Sequence, residues 1–318
     1  MKIVCTGSVA YDYLMTFPGY FKNQILPEQL DSISLSFLVD SMVRQRGGVA
    51  TNIAYTLALL GEKPMVLATV GQDFEEYRLW LEDKGVDTHH IKVVEGEYTA
   101  SFFANTDLAN AQIASFYTGA MAHAAELSIK NLCDEKVDLV VISPNDPAAM
   151  HKYVEECRET DTAYMYDPSQ QLARISAESI RCGVEKAQSL FVNDYEIGLL
   201  LKHTGFNLKD VLQLVQTVVV TRGKDGASVY SADTEYSIPV VPPLAIADPT
   251  GVGDAFRGGF LKGLAMSFDW QTCGQMGSLA ATYCLENKGT QNHFYTSRVF
   301  VERYRQNFDD QGLLDALL

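Results

Sequence analysis

A short glycine-rich stretch places an anion-binding backbone beside a carboxylate. The stretch DPTGVGDAFRGGF contains Pro249, which favours a helix that begins only after it. The amides of Gly251, Val252 and Gly253 would then be unpaired donors at the helix N-terminus, where the helix dipole favours an anion. Asp254 follows directly, and the same dipole is expected to keep it ionised. A carboxylate beside a phosphate cradle can act as general base for a hydroxyl that attacks a phosphoryl group.

Other uses of a glycine-rich helix start compete with this interpretation. An ordinary helix cap also tolerates glycine and favours acidic residues in the first turn, so the stretch alone leaves that alternative open. A dinucleotide-binding G-x-G-x-x-G loop would need glycine where Phe256 stands, and no strand runs directly into the turn. The Walker A pattern G-x-x-x-x-G-K-[ST] is absent from the chain, which excludes a P-loop enzyme.

Alternating strands and helices must position this stretch. Short apolar runs rich in β-branched and aromatic residues predict strands at 2–8, 64–71, 137–143, 163–168, 189–193 and 217–223. Helical patterns with terminal glycines lie between them, as at 48–61 and 73–85. This alternation predicts a single α/β domain over 1–318, with a mostly parallel sheet covered on both faces.

Two regions depart from this alternation. The pairs 12–19 with 34–45 and 98–107 with 110–119 show partial strand alternation, and a short turn joins the second pair. We expect a small antiparallel sheet, formed by about 12–45 and 98–119, that acts as a lid over a cleft. An ordinary extension of the main sheet is the alternative.

Composition narrows the class of protein. The 318 residues are 47% hydrophobic and carry a net charge of -15, which argues against nucleic acid as a partner. No apolar run approaches the ~20 residues of a membrane helix, and polar residues interrupt the apolar start, so we expect no membrane partner and a cytoplasmic protein. The six cysteines are scattered without C-x-x-C spacing, which is typical of free thiols.

Four motifs in order along the chain resemble those of the ribokinase-like (PfkB) sugar and nucleoside kinase family. They are RGGVATN (46–52) for G-G-x-x-x-N, NDYE (193–196) for N-x-x-E, TRGKDG (221–226) for T-x-G-x-x-G and DPTGVGDAF (248–256) for D-T-x-G-A-G-D. Pro249 and Val252 depart from the last motif, but neither removes the amides or the aspartate. The resemblance implies a three-layer α/β/α fold with a small β lid, and ATP-dependent phosphorylation of an alcohol.

The resemblance also implies roles for individual residues. Asp254 is the implied catalytic base, and Gly251, Val252 and Gly253 form the implied anion hole. The implied contacts to sugar hydroxyls are Asp12, Gly48 and Asn52. Magnesium would be held with ATP, near Asn193 and Glu196 and without a direct protein ligand. The remaining ATP contacts are Thr221, Gly223, Arg257 at the phosphates and Asn287 at the adenine or ribose; a structural role for Arg257 is an open alternative.

The lid suggests which alcohol is phosphorylated. Aromatic residues suit a nucleobase, although buried strands also favour them; they are Phe37, Phe102, Phe103, Phe116 and Tyr117. The segments FPGYFKNQILPEQL, NAQIASFYTGAM and YDPSQQ resemble the microbial adenosine and nucleoside kinase branch. This resemblance implies Gln112 and Gln170 as substrate contacts and Asn110 as a cofactor contact, while Gln171 competes with Gln170.

The favoured function is therefore that of an adenosine kinase, which transfers the ATP γ-phosphoryl group to the ribose 5′-hydroxyl. A ribokinase-like sugar kinase and a catalytically silent nucleotide-binding regulator are the alternatives, and an intact Asp254 argues against the regulator. A requirement for a monovalent cation and a homodimer formed through the lid stay open.

Overall fold

The computed structural model describes residues 1–32, 34–232 and 234–318. Its strands are β1 Ile3–Thr6, β2 Ala10–Thr16, β3 Ser41–Gly47, β4 Met65–Val70, β5 Ile91–Val93, β6 Ala100–Thr106, β7 Gln112–Tyr117, β8 Leu139–Ile142, β9 Ala163–Tyr166, β10 Ser189–Asn193, β11 Thr217–Thr221, β12 Ala227–Ser231 and β13 Thr234–Ile238. Its α-helices are α1 Val49–Leu59, α2 Glu75–Asp83, α3 Pro147–Glu159, α4 Ala177–Val184, α5 Asp194–Thr204, α6 Leu208–Leu214, α7 Val252–Ala265, α8 Trp270–Leu285 and α9 Ser297–Asn307.

The main sheet has the order β13-β12-β11-β10-β9-β8-β1-β4-β5. All its strands from β11 to β5 run parallel, and β12 and β13 add an antiparallel edge. The carboxyl ends of the parallel strands therefore lie along one edge, where ligands bind in open α/β sheets.

Helices cover both faces of this sheet. Ile3 and Cys5 of β1 pack into a core with residues of α1, α2, α7 and α8, whereas Val4 packs into a second core with residues of α3, α4, α5 and α6. Successive side chains of a strand point to opposite faces, so the apolar strands form two cores at once. The predicted three-layer α/β/α fold is confirmed.

A second, smaller sheet has the order β3-β2-β6-β7; it is the sheet predicted to act as a lid, and we call it the lid below. Its outer pairs are antiparallel, but β2 and β6 run parallel, so the expectation of a purely antiparallel sheet is wrong. The reason is topological, because the chain passes through α1, β4, α2 and β5 before it returns as β6. The strand expected within 34–45 begins only at Ser41.

Two further expectations concern the whole chain. The thiols of Cys5, Cys157, Cys273 and Cys284 are free and buried, and that of Cys182 is free and partly buried. The Cys133 side chain lies outside the described residues. None of the described helices combines the length and apolar character needed to span a membrane.

Glycines let α7 pack very closely against its neighbours. A Cβ on Gly258 would lie 2.5 Å from Thr56 Cβ of α1, and one on Gly259 would lie 2.5 Å from the Met276 carbonyl oxygen of α8. These separations are far below van der Waals contact, so only glycine allows the helices to approach this closely. The α1–α7 contact brings the N-terminal half of α7 against the helix that follows β3.

We predict that Gly259→Ala destabilises the protein by up to about 2 kcal/mol, because overpacking costs about 1–3 kcal/mol and the gain in helix propensity offsets only about 1 kcal/mol. Gly198→Ala in α5 is the matched control, since a Cβ there has no atom within 4 Å. The control should raise stability by up to about 1 kcal/mol. Urea unfolding of both variants measures the difference, and a shift of equal sign in the two would contradict this account.

Candidate functional site

The N-terminus of α7 has the geometry of an anion site. Gly251 precedes the helix with a φ of 78°, in the left-handed region, and a Cβ there would lie 2.8 Å from Thr290. The Val252 amide lies 3.5 Å from the Pro249 carbonyl oxygen, a poor hydrogen bond, and the amides of Gly251 and Gly253 have no acceptor in the described part of the chain. Unpaired amides at a helix N-terminus are suited to bind phosphate.

Asp254 lies in the first turn of α7 and faces α1. Its Oδ2 accepts a hydrogen bond of 2.7 Å from Asn52 Nδ2. Burial raises the pKa of Asp254 above its usual range; the charge of Arg257 and the Asn52 hydrogen bond oppose the rise, and Asp12 adds to it. Burial, which favours the neutral form, therefore opposes the helix dipole, which is expected to keep this carboxylate ionised. A carboxylate with a raised pKa is a stronger base, which suits proton abstraction.

Asp12 faces the same region from the lid strand β2. Burial and the nearby charge of Asp248 raise the pKa of Asp12 to about 6. Gly47 leaves room for this carboxylate, since a Cβ there would lie 2.7 Å from Asp12 Oδ2. Gly48 has a φ of 98°, and a Cβ there would lie 2.5 Å from the Ser8 carbonyl oxygen. The close approach at Gly48 is thus made by the protein backbone, and its contact with a sugar hydroxyl stays a prediction.

Arg257 is committed to an internal ion pair. Its Nε lies 2.5 Å from Asp167 Oδ2, its Nη2 donates to Asp167 Oδ1 at 2.7 Å, and its Nη1 donates to the Gly253 carbonyl oxygen at 3.0 Å. Although burial disfavours its charge, Asp167 raises the pKa of Arg257, so the guanidinium stays charged. Only 6% of the residue is exposed. The structure therefore supports the structural alternative, because this arginine ties α7 to the carboxyl end of β9.

Asn193 and Glu196 form a reciprocal cap at the start of α5. Asn193 Oδ1 accepts from the Glu196 amide at 2.8 Å, and Glu196 Oε2 accepts from the Asn193 amide at 2.8 Å. Ser169 Oγ also donates to Glu196 Oε1 at 3.1 Å. The N-x-x-E spacing thus has a complete structural explanation as a capping box, and its proximity to magnesium stays a prediction.

The expected nucleotide residues lie on two elements. Thr221 ends β11 and is partly exposed, and Gly223 follows with a φ of 54° and no atom within 4 Å of an added Cβ. Asn287 follows α8, and its Nδ2 donates to the Tyr283 carbonyl oxygen at 2.8 Å, so its amide caps that helix. Open space above Gly223 is compatible with a groove, whereas the contact of Asn287 with a nucleotide stays a prediction.

The glutamine and asparagine candidates are separated by the fold. Gln170 is exposed, while Gln171 is buried and donates to the Asn145 carbonyl oxygen at 2.8 Å. Gln112 is exposed on β7 and donates to Thr106 Oγ1 at 3.1 Å. Asn110 has a φ of 60° in the turn between β6 and β7, which asparagine tolerates, and its contact with the cofactor stays a prediction.

Strand register divides the lid aromatic residues. Asp12 pairs with Phe102, and Phe102 pairs with Phe116, so these three side chains share one face of the lid. Phe103 belongs to the opposite face, where its ring stacks on Tyr13 at 4.8 Å between centroids. The other two aromatic candidates are engaged elsewhere, Tyr117 with Glu97 and Phe37 with Phe17 and Phe21. Two of the five are therefore available above Asp12.

Sequence reasoning missed Gln291 and Asp167. Gln291 is 3% exposed, and its Nε2 donates to Asn52 Oδ1 at 2.7 Å. It belongs to a loop without a motif, and no pattern in the sequence indicates that the loop returns to α1. Asp167 carried a usable signal, because an acidic residue directly after a buried strand lies at the ligand-binding edge of the sheet.

Comparison with known proteins gives this geometry a context. The family model described as "pfkB family carbohydrate kinase" matches residues 2–297. The chain is 30% identical to a nucleoside kinase of Methanocaldococcus jannaschii over 96% of this chain and 97% of that protein.

Solved structures agree with this match. A nucleoside kinase of Burkholderia thailandensis in complex with inosine superposes with a TM-score of 0.86 and 34% identity, over 97% of this chain and 98% of that one. The structure of the same kinase in complex with ADP-inosine gives a TM-score of 0.84 and 35% identity, over 97% and 96% of the two chains.

We predict that Asp254→Asn lowers phosphoryl-transfer turnover about 10²–10⁴-fold, the usual contribution of general acid–base catalysis. Because burial raises the pKa of Asp254, its ionisation opposes folding as pH rises, so the asparagine variant should melt at the same or a higher temperature at pH 7. Turnover at saturating substrates and the melting temperature are the two measurements. A variant that keeps more than about a tenth of the wild-type turnover would contradict the assignment of the base.

Proposed function

Because the chain belongs to the pfkB family of carbohydrate kinases, and is thus a phosphotransferase that acts on an alcohol group, we propose that it is a nucleoside kinase with adenosine as its preferred acceptor. The observation that carries the proposal is that Asp254 lies in the same helical turn as amides that have no hydrogen-bond acceptor, at the α7 N-terminus. A silent nucleotide-binding regulator would need the amides but not the base.

The site supports a direct transfer. The acceptor hydroxyl lies against Asp254, which takes its proton as the oxygen attacks the γ-phosphorus of ATP. The bond to the ADP oxygen breaks, and the amides of Gly251 and Gly253 stabilise the charge on the transferred group. The products are ADP and a nucleoside 5′-monophosphate. Magnesium bound with ATP would neutralise phosphate charge on the side of Glu196, whose carboxylate is held by the α5 cap.

Recognition of the nucleoside would come from α1 and the lid. Asp12 can accept hydrogen bonds from two vicinal ribose hydroxyls, and Phe102 and Phe116 share its face of the lid, where a base can stack. The Burkholderia thailandensis kinase was solved in complex with inosine, which supports a purine nucleoside as the acceptor. Adenosine rests on the resemblance of the lid segments to the adenosine kinase branch, and a sugar kinase is the alternative.

We extend the proposal to the oligomeric state, the location and the cation requirement of the protein. The outer face of the lid exposes Met42, Phe103 and Ile113, which supports a homodimer formed through the lids. A solution mass of one chain at micromolar concentration would contradict that dimer.

The cytoplasm, where ATP is available, is the proposed location. A requirement for a monovalent cation is tested by assays in potassium and in tetramethylammonium salts.

We predict that adenosine gives the highest kcat/KM when Mg-ATP is offered with adenosine, inosine, cytidine, ribose and fructose in parallel. A base stacked on one aromatic ring adds about 1–3 kcal/mol, so adenosine should exceed ribose roughly 5- to 150-fold. ADP release measures the rates. Phe116→Ala on the cleft face should lower this ratio, and Phe103→Ala on the outer face is the matched control that should leave it unchanged.

The remaining outcomes discriminate between the alternatives. Ribose or fructose faster than every nucleoside would replace the nucleoside kinase with a sugar kinase. Equal rates for all nucleosides would keep the class and remove adenosine. ATP binding without ADP release for any acceptor would favour the regulator.

A further inference from the structure

A buried chain of hydrogen bonds leads from α2 to Asp254. Gln291 Nε2 lies 2.6 Å from Tyr77 Oη and 2.7 Å from Asn52 Oδ1, and Asn52 Nδ2 donates to Asp254 Oδ2 at 2.7 Å. Asn52 is 4% exposed, Gln291 is 3% exposed and Tyr77 is fully buried. These side chains come from α1, α2 and the loop after α8, so this series of hydrogen bonds depends on tertiary packing.

The chemistry of each group fixes the direction of the chain. An ionised carboxylate can only accept, so Asn52 must present its NH₂ group to Asp254 and its carbonyl oxygen to Gln291. Gln291 must then present its own NH₂ group, which supplies one N–H to Asn52 and one to Tyr77. Tyr77 can accept because its own proton goes to the Gly47 carbonyl oxygen at 3.0 Å or to Thr51 Oγ1 at 2.9 Å.

This series of hydrogen bonds therefore allows only one favourable orientation of the Asn52 amide. Without the Gln291 donor, the buried Asn52 carbonyl oxygen would lose its partner, and a rotated Asn52 amide would place an oxygen against the Asp254 carboxylate. Buried acceptors without donors cost free energy, and two facing oxygens repel each other.

We propose that Gln291, anchored by Tyr77, is a positioning residue that sets the amide orientation of Asn52 and thereby aims the Asp254 carboxylate at the acceptor hydroxyl. This inference rests on the proposed role of Asp254 as the base. Gln291 itself contacts neither substrate nor the reacting atoms. Loss of this positioning should lower the rate of transfer, because a misplacement of about 1 Å at a reacting group can cost about 10²-fold in rate.

The test uses the full chain with Mg-ATP and with adenosine and inosine as acceptors. Gln291→Glu exchanges the donor for an acceptor, and Gln291→Met removes it at similar length. Both should lower kcat about 10- to 100-fold while the KM for ATP stays within about two-fold. Tyr77→Phe should change kcat in the same direction by a smaller factor. Tyr295→Phe is the matched control, because this buried hydroxyl in the same loop has no partner among the described residues.

The pH profile separates positioning from simple destabilisation. The Asn52 hydrogen bond lowers the pKa of Asp254, so its loss should shift the acid limb of kcat to higher pH in the Gln291 variants. A general loss of folded protein would reduce kcat without moving this limb, and that result would overturn the inference.

Asp254→Asn keeps the two proposals distinguishable. If that variant stays active, the proposed base is wrong. If it is inactive while both Gln291 variants keep the wild-type kcat and acid limb, only the positioning role is wrong.

Discussion

The ionisation of Asp254, the carboxylate that we propose as the base, depends on a balance between burial and the groups that surround it. Burial favours its neutral form, whereas Arg257 and the Asn52 hydrogen bond favour its ionised form. Asp12 lies close enough to raise its pKa further. The region thus holds several acidic groups together with the buried Arg257, whose guanidinium is bound by Asp167.

The glycines at the start of α7 and within it have two different roles. Gly251 and Gly253 leave the first turn open and its amides unpaired. Gly258 and Gly259, one to two turns later, let the helix approach α1 and α8 far more closely than alanine would. Since Asn52 belongs to α1, the close packing of α7 against α1 also determines the short contact between Asn52 and Asp254. The geometry of the proposed base and the packing of the helices therefore depend on the same element.

The sequence predicted those parts of the fold that rest on local pattern. Apolar runs located the parallel strands, terminal glycines located helix ends, and the glycines beside Asp254 located the α7 N-terminus. It failed where tertiary contacts decide, as in the parallel pairing of β2 with β6 across a long crossover. Gln291 is the clearest case, because its partners are 239 and 214 residues away in the chain. The N-x-x-E motif shows the reverse limit, since Asn193 and Glu196 bind each other as a cap.

The central claim is that Asp254 accepts the proton of the acceptor hydroxyl, while the α7 amides bind the phosphate that this hydroxyl attacks. The most direct measurement is a crystal structure of the protein with adenosine, magnesium and a non-hydrolysable ATP analogue. We expect the 5′-hydroxyl oxygen within about 2.6–3.2 Å of an Asp254 carboxylate oxygen, the range for proton abstraction by a general base. The γ-phosphate oxygens should lie within hydrogen-bonding distance of the amides of Gly251 and Gly253. A bound acceptor whose hydroxyl contacts another carboxylate, or a γ-phosphate remote from these amides, would contradict the account.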